Sequence, residues 1–277
     1  MELGVYLELS NEDYHADREF ISASQVNAMA DSIEHWLWKR DQKRTPSKSM
    51  LIGSVVHLAL ESRLKDNPKL LSEGIVILPE KIGYMSQKLP AFCEENKGRY
   101  PIAEQDLPIA FAMANKVLEH PDTKGYFKGG ISEPSIFVKH EATGVNVKCR
   151  PDILRTEDGL SINFKTTSDA SKKGFIRSTA DYRYDIQSCF YIDILSQQYG
   201  RSYDEIHLLC ETPKDPAEPI RLGVYSYADE SLAFARVQYT WILEKYKRFM
   251  DSGVAEGFDT KLDVITLPSW VQSYGSY

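Results

Sequence analysis

The hydrophobic period of this chain changes at Glu133, and that change constrains the fold more than any other feature of the sequence. Beyond it, "SIFVKH" reads as a strand. In "GVNVKCRPDIL", Val145, Val147 and Cys149 alternate with Asn146, Lys148, Arg150 and Asp152. In "LSINFKTT", Leu160, Ile162 and Phe164 alternate with Ser161, Asn163 and Lys165. Successive residues of a strand face opposite ways, so this alternation predicts two strands, each with one polar face. "EDG" (Glu157–Gly159) supplies the turn between them. Asp152, Asn163 and Lys165 are thereby expected on one face of a hairpin.

The segments around it read as helices. "FISASQVNAMADSIEHWLWKR" is expected to form one helix, with Ser22 and Gln25 at capping-box spacing and Val26, Met29, Ile33 and Leu37 at helical intervals. "MLIGSVVHLALESRL" and "LPIAFAMANKVLEHP" follow as a second and a third, with an irregular stretch from Lys65 to Ile102 between them. After the hairpin come a helix "YDIQSCFYIDILSQQYG" ending at Gly200, strands "DEIHLLCE" and "IRLGVYSY", and a long amphipathic helix "ESLAFARVQYTWILEKYKRFM". The predicted fold class is α/β (α+β): a central mixed sheet around residues 135–166, flanked by helices at 182–199 and 231–250. The chain reads as one domain, 1–277, with a mainly helical part over 1–130, a sheet core over 131–230 and a C-terminal helix and tail over 231–277.

Composition narrows the class. At 277 residues, 42% hydrophobic and 26% charged, the chain has the profile of a soluble globular protein. No apolar run has the length of a membrane span, and "MELGVYLELSNEDYH" lacks the pattern of a signal peptide. Cys93, Cys149, Cys189 and Cys210 are scattered, which fits reduced thiols in a cytoplasm and neither a zinc nor an iron–sulfur site. The formal charge of −7 argues against a nucleic-acid coat protein, yet Trp38–Met50 and Lys165–Arg183 are locally basic, so a basic groove stays open.

A cation that serves phosphodiester chemistry wants oxygen ligands, and a lysine beside it can stabilise the charge at phosphorus. A carboxylate on one strand and an acid-x-lysine on the next is the PD-(D/E)xK nuclease arrangement. Here the motif reads Pro151-Asp152 and Asn163-Phe164-Lys165. "GSVVH" places Gly53 and His57 on one helix, with Glu61 a turn further on, and "QSCFY" places Gln187 and Tyr191 on another. Glu133 precedes the first strand. Taken singly, each has a plainer reading: Asp152 opens a turn, Lys165 is a solvated strand residue, His57 is a satisfied core histidine, Gln187 and Tyr191 are ordinary helix residues. In this order the set resembles the RecB-like branch of the PD-(D/E)xK nucleases, and more closely the RecE-type exonucleases. "LSNEDYHADREFISASQV", "LWKR", "GSVVHLALE", "CRPDI", "FKTT", "YRYDIQSCFY" and "LPSW" carry the resemblance across nearly the whole chain.

That resemblance implies a Mg²⁺-dependent exonuclease, with Mn²⁺ as a substitute, that degrades one strand of linear duplex DNA from its 5′ end. It implies a 3′ tail for a RecT-like single-strand annealing protein, and a homotetrameric ring. Asp152, position 163, the carbonyl of Phe164, His57 and Glu133 would hold metal; Lys165 would act on water and phosphate; Gln187 and Tyr191 would orient the site. Related phage exonucleases hold a 5′ phosphate at a serine-rich helix start near an arginine, which here points to Arg18, Ser22 and Ser24, although plain helix capping explains the serines equally well. Trp36 and Trp38 are candidates to stack on bases or to pack in the core. The departure is Asn163, an uncharged amide where the family has an acid. The expectation is therefore a disabled or weakened site that Asn163→Asp restores; the alternative is a scaffold of nuclease fold that binds DNA ends without cutting.

Overall fold

The computed structural model describes residues 1–42, 45–215, 217–258, 261–262 and 264–266. Among them the strands are β1 (Gly4–Tyr6), β2 (Ile21–Ser22), β3 (Ile75–Ile77), β4 (Tyr100–Ile102), β5 (Ile131–Ser132), β6 (Ser135–Lys139), β7 (Asn146–Cys149), β8 (Ile153–Arg155), β9 (Leu160–Thr167), β10 (Asp204–Glu211) and β11 (Leu222–Tyr225). One mixed sheet runs β11-β10-β9-β8-β5 and a second runs β1-β6-β7-β2. The α/β class and the flanking helices, Tyr184–Tyr199 and Asp229–Ser252, are as the alternation indicated. The β8–β9 hairpin forms with Ile153 opposite Ile162, and Gly159 closes its turn at φ +65°. A Cβ there would lie 2.7 Å from the Ser202 carbonyl oxygen, so the turn accepts only glycine.

The 135–166 segment is not one sheet. Pro151 brings no N–H to a ladder, and the chain leaves the second sheet after Cys149 and enters the first at Ile153. Asp152 sits at that crossing, not within a strand. Its carbonyl accepts the Glu133 N–H at 3.0 Å. The side chain of Arg150 anchors the crossing on Ser135 Oγ at 2.8 Å and the Leu9 carbonyl at 3.0 Å. Lys148 does not line a polar face either. It is 2% exposed, and its Nζ donates to the carbonyls of Tyr14 at 2.6 Å and Asp17 at 2.8 Å. A buried ammonium is tolerated only with such partners.

Two further expectations are corrected. The helix over 20–40 is a short strand, β2, followed by two helices, Ala23–Met29 and Ile33–Arg40. Ser32 supplies a fresh cap by accepting the His35 N–H at 3.0 Å, and a new helix start costs little at such a residue. The stretch 65–102 is ordered: the helices Lys69–Gly74 and Leu89–Glu95 lie between and beside a parallel β3–β4 pair. "LPSW" lies outside the described residues.

The two faces of β9 fix where the site lies. Ile162 and Phe164 join Ile153, Leu208 and Cys210 in an apolar core under the helices Lys48–Leu64 and Leu107–Glu119. The opposite face carries Ser161, Asn163 and Lys165 against the helix Tyr184–Tyr199. Gly53 marks where Lys48–Leu64 crosses β9: a Cβ there would lie 3.0 Å from Thr166 Oγ1. Glycine at this point lets the helix come close enough to bring His57 to the end of β8. Gly53→Val is expected to push the helix off β9, destabilising the protein by about 1–3 kcal/mol in chemical denaturation and weakening divalent-metal affinity in the same variant.

Candidate metal centre

Three elements deliver three ligand-bearing side chains to one point. His57 comes from the helix Lys48–Leu64, Glu133 from the link between β5 and β6, and Asp152 from the crossing between β7 and β8. One potential ligand atom from each lies within 4.8 Å of the others. His57 Nδ1 is 3.5 Å from Asp152 Oδ1, and the His57 ring packs edge-on against Phe164 with centroids 5.2 Å apart. Asp152 is fixed by its other oxygen, which accepts the Phe164 N–H at 2.6 Å. Glu133 adopts a left-handed backbone with φ +48°, unusual for a residue with a Cβ, and such geometry is held in place only by its surroundings.

The electrostatics favour a cation. Burial pushes the Glu133 carboxyl above the usual range, and the negative charges of Asp152 and Glu61 push it further. A divalent ion would relieve that repulsion. One imidazole and two carboxylates form a donor set that fits Mg²⁺ or Mn²⁺, so His57, Glu133 and Asp152 are the residues that would hold it. A cavity of about 610 Å³ opens beside them, bordered by Ser10, Asn11, Glu61 and Tyr100. Glu8 and Glu73 add to its acidity, which suits an entering cation better than a DNA phosphate.

Lys165 follows Phe164, whose N–H holds Asp152. Its Nζ donates to Gln187 Oε1 at 3.0 Å and lies 4.2 Å from the centre of the Tyr184 ring. Burial draws its pKa down, and Asp152 and Glu205 act against that. Tyr191, 8% exposed, follows one turn after Gln187 on the same helix. Burial pushes its hydroxyl well above the ordinary tyrosine range, so it stays protonated.

Asn163 is 2% exposed on the Lys165 face, and its Nδ2 reaches no acceptor. Arg18, Ser22 and Ser24 are only partly assembled. The two serine hydroxyls are 3.1 Å apart and Gln25 Oε1 accepts the Ser22 N–H at 2.8 Å, whereas Arg18 turns to Asp41 at 3.1 Å. Trp36 is buried against Tyr246, and Trp38 is exposed beside His35.

The sequence reading passed over Glu205. This residue of β10 is 4% exposed and sits beside Ser161 in the β9–β10 register. Ser161 Oγ donates to it at 3.2 Å, and Ser188 Oγ lies 2.6 Å from it. Burial pushes its carboxyl up to about 7, with Ser188 and Lys165 acting in the opposite sense. The alternation of Glu205 and His207 with Ile206 and Leu208 was visible in "DEIHLLCE". The parallel register that sets them beside Ser161 and Asn163 was not.

The fold and this centre define a member of the PD-(D/E)xK nuclease superfamily. Residues 22–256 match the family described as "PDDEXK-like domain of unknown function (DUF3799)", and the chain belongs to that family. Among solved structures, the chain is similar to a candidate exonuclease from Eubacterium rectale, at 16% identity and a TM-score of 0.64, over 97% of this chain and 98% of that one. At that identity the likeness is one of fold. A phage-related exonuclease from Haemophilus somnus 129PT aligns at 9% identity and a TM-score of 0.35, over 87% of this chain and 99% of that one. No curated protein matches the chain. Among the described residues no helix is long and apolar enough to cross a membrane.

Two expectations follow from the centre. Mn²⁺ at a hundred times its dissociation constant should stabilise the protein by about 2.7 kcal/mol, and Asp152→Asn or His57→Ala should lose most of that gain in melting experiments. The second concerns pH. The folded state holds the Glu205 proton more tightly than the unfolded chain does, so this group favours folding at low pH. Its contribution fades as pH rises from 4.5, the ordinary value, to about 7. Melting temperature in metal-free buffer should therefore fall over that window, and Glu205→Gln should flatten the slope.

Proposed function

We propose that this chain is a divalent-metal-dependent exonuclease of the RecE type. It degrades one strand of linear duplex DNA from the 5′ end and leaves a 3′ tail for a RecT-like annealing protein. The observation that carries this reading is the convergence of His57, Glu133 and Asp152 within 4.8 Å, next to Lys165 held by Gln187. The three residues would hold Mg²⁺ or Mn²⁺, and the ion would supply positive charge to the phosphate and lower the pKa of a water. Lys165 places an ammonium beside the reacting phosphate, where it stabilises charge that grows at the non-bridging oxygens. Gln187 sets the direction of that ammonium, and Tyr191 backs the same face.

The exposed side chains of Lys172, Lys173 and Arg177 lie on the helix that follows β9 and offer positive charge to a phosphate backbone. At the DNA end, Ser22, Ser24 and Arg18 take the terminal 5′ phosphate. The ion pair of Arg18 with Asp41 is more than half exposed on both sides, and such a pair is weak enough for a phosphate to displace. A homotetrameric ring keeps the enzyme on one strand. Phe234, Val237 and Trp241 form an exposed apolar row on the helix Asp229–Ser252, which suits contact with a second copy. The protein acts in the cytoplasm.

Residue 163 brings no charge of its own to this centre, which implies a weakened exonuclease unless a neighbouring acid supplies the charge. The same observation favours the second reading, a DNA-end scaffold that does not cut. End-labelled linear duplex and closed circular duplex, each with and without Mg²⁺, separate the two. The exonuclease reading expects nucleotide release from linear DNA only, dependent on Mg²⁺, and lowered about 100-fold or more in Asp152→Asn. Intact binding of linear ends with no release by the unaltered chain would favour the scaffold.

A further inference from the structure

The polar face of β9 continues across β10. The two strands run parallel, with Ser161 beside Glu205 and Asn163 beside His207, so Glu205, His207, Asn163 and Lys165 share one covered face. Glu205 is the carboxylate on it. Ser188 Oγ lies 2.6 Å from Glu205 Oε1 and 2.6 Å from His207 Nε2. Ser188 Oγ donates to Glu205 and therefore accepts from His207 Nε2, which itself lies 3.3 Å from Glu205 Oε1; burial draws the His207 pKa well below its ordinary value and keeps the ring neutral. His207 therefore brings no positive charge. The cation that acts on Glu205 is Lys165, and the Asn163 amide also favours the carboxylate, although its Nδ2 meets no acceptor in good hydrogen-bond geometry.

An aspartate at position 163 would stand in this covered face next to Glu205. Two carboxylates that share a site this dry cannot both ionise without strong repulsion, and Lys165 is a single counter-charge. The amide at 163 and the acid at 205 thus fit one another. We propose that Glu205 carries, from the neighbouring strand, the carboxylate charge that residue 163 lacks, and that positions 163 and 205 together accommodate one carboxylate and not two. This deepens the exonuclease reading and rests on it only for the catalytic consequence. Glu205 is a positioning residue: it acts through Lys165 and the Asn163 amide, outside the His57, Glu133 and Asp152 cluster. Replacing Asn163 alone is then insufficient to raise the rate.

The test is a double-mutant cycle of the unaltered chain, Asn163→Asp, Glu205→Gln, and the two changes combined. Melting is read at pH 8 without metal, and kcat and KM are read for Mn²⁺-dependent nucleotide release from linear duplex. Asn163→Asp alone is expected to lower the melting temperature by about 3–6 °C and to leave the rate no higher. Glu205→Gln is expected to keep the fold, as a near-isostere, and to lower kcat about 10-fold with KM unchanged. The combined variant is expected to recover both the melting temperature and at least the starting kcat. Recovery by the second change is a result that a purely structural role for Glu205 does not give. If Asn163→Asp does not fold, recovery of folding by the added Glu205→Gln supports the proposal and its failure overturns it. Additive effects on melting overturn the proposal whatever the activities are, as does a faster Asn163→Asp with unchanged melting. Coupled melting with no digestion by any of the four proteins retains the shared carboxylate and removes the exonuclease reading.

Discussion

The architecture depends on one strand that is covered on both faces and apolar on only one. Burying Ile162 and Phe164 against the helices Lys48–Leu64 and Leu107–Glu119 is ordinary core formation. Covering Ser161, Asn163 and Lys165 with the helix Tyr184–Tyr199 is not, because each polar group removed from water needs a partner. That helix supplies partners at its own spacing. Gln187 takes the Lys165 ammonium, and the next residue, Ser188, meets Glu205. The helix that covers the strand and the helix that orients the site are thus one element, and a shift of its register would disturb packing and chemistry together.

The apolar side of the same strand places the metal ligands. Phe164 packs on His57 through its ring and holds Asp152 through its N–H. One residue therefore fixes a ligand from a helix and a ligand from a strand crossing. Pro151 keeps that crossing out of the ladder, and the Glu133 N–H closes it on the Asp152 carbonyl. The left-handed backbone at Glu133 follows from this: the residue must turn its N–H to one side of the crossing and its carboxylate to the other.

Much of this was legible in the sequence. β9, its turn at Gly159 and the two helix faces follow from local rules, since period two, period 3.6 and glycine conformation each act over a few residues. The near-isolated glycine at 53 and His57 one turn on were visible in the same way. What was not legible depends on partners far away in sequence. "GVNVKCRPDIL" has the alternation of one strand, yet its halves pair in different sheets, because Lys148 finds the carbonyls of Tyr14 and Asp17 and so can be buried where a polar face was expected. The sequence over 20–40 reads as one helix because Asp31 and Ser32 are compatible with a helix interior, and the Ser32 cap is preferred only once the two halves pack separately. Glu205 escaped notice because an acid in a strand reads as solvent-facing until a parallel neighbour and a covering helix enclose it.

Residue 163 shows why a site cannot be judged one position at a time. Read in the motif alone, an amide there removes a charge and implies a loss of function. Within the fold, residue 163 has a neutral histidine across from it at 207, a buried acid two residues before that on the same neighbouring strand at 205, and one lysine two residues on. A dry face is constrained by its total charge before it is constrained by the address of each charge, since for a second buried carboxylate the repulsion from the first cancels the attraction of the one ammonium and leaves its desolvation without compensation. Such a face can move its carboxylate between adjacent strands and remain foldable, provided that one position gives up the charge as the other takes it. The motif records only the position on β9; the charge belongs to the face.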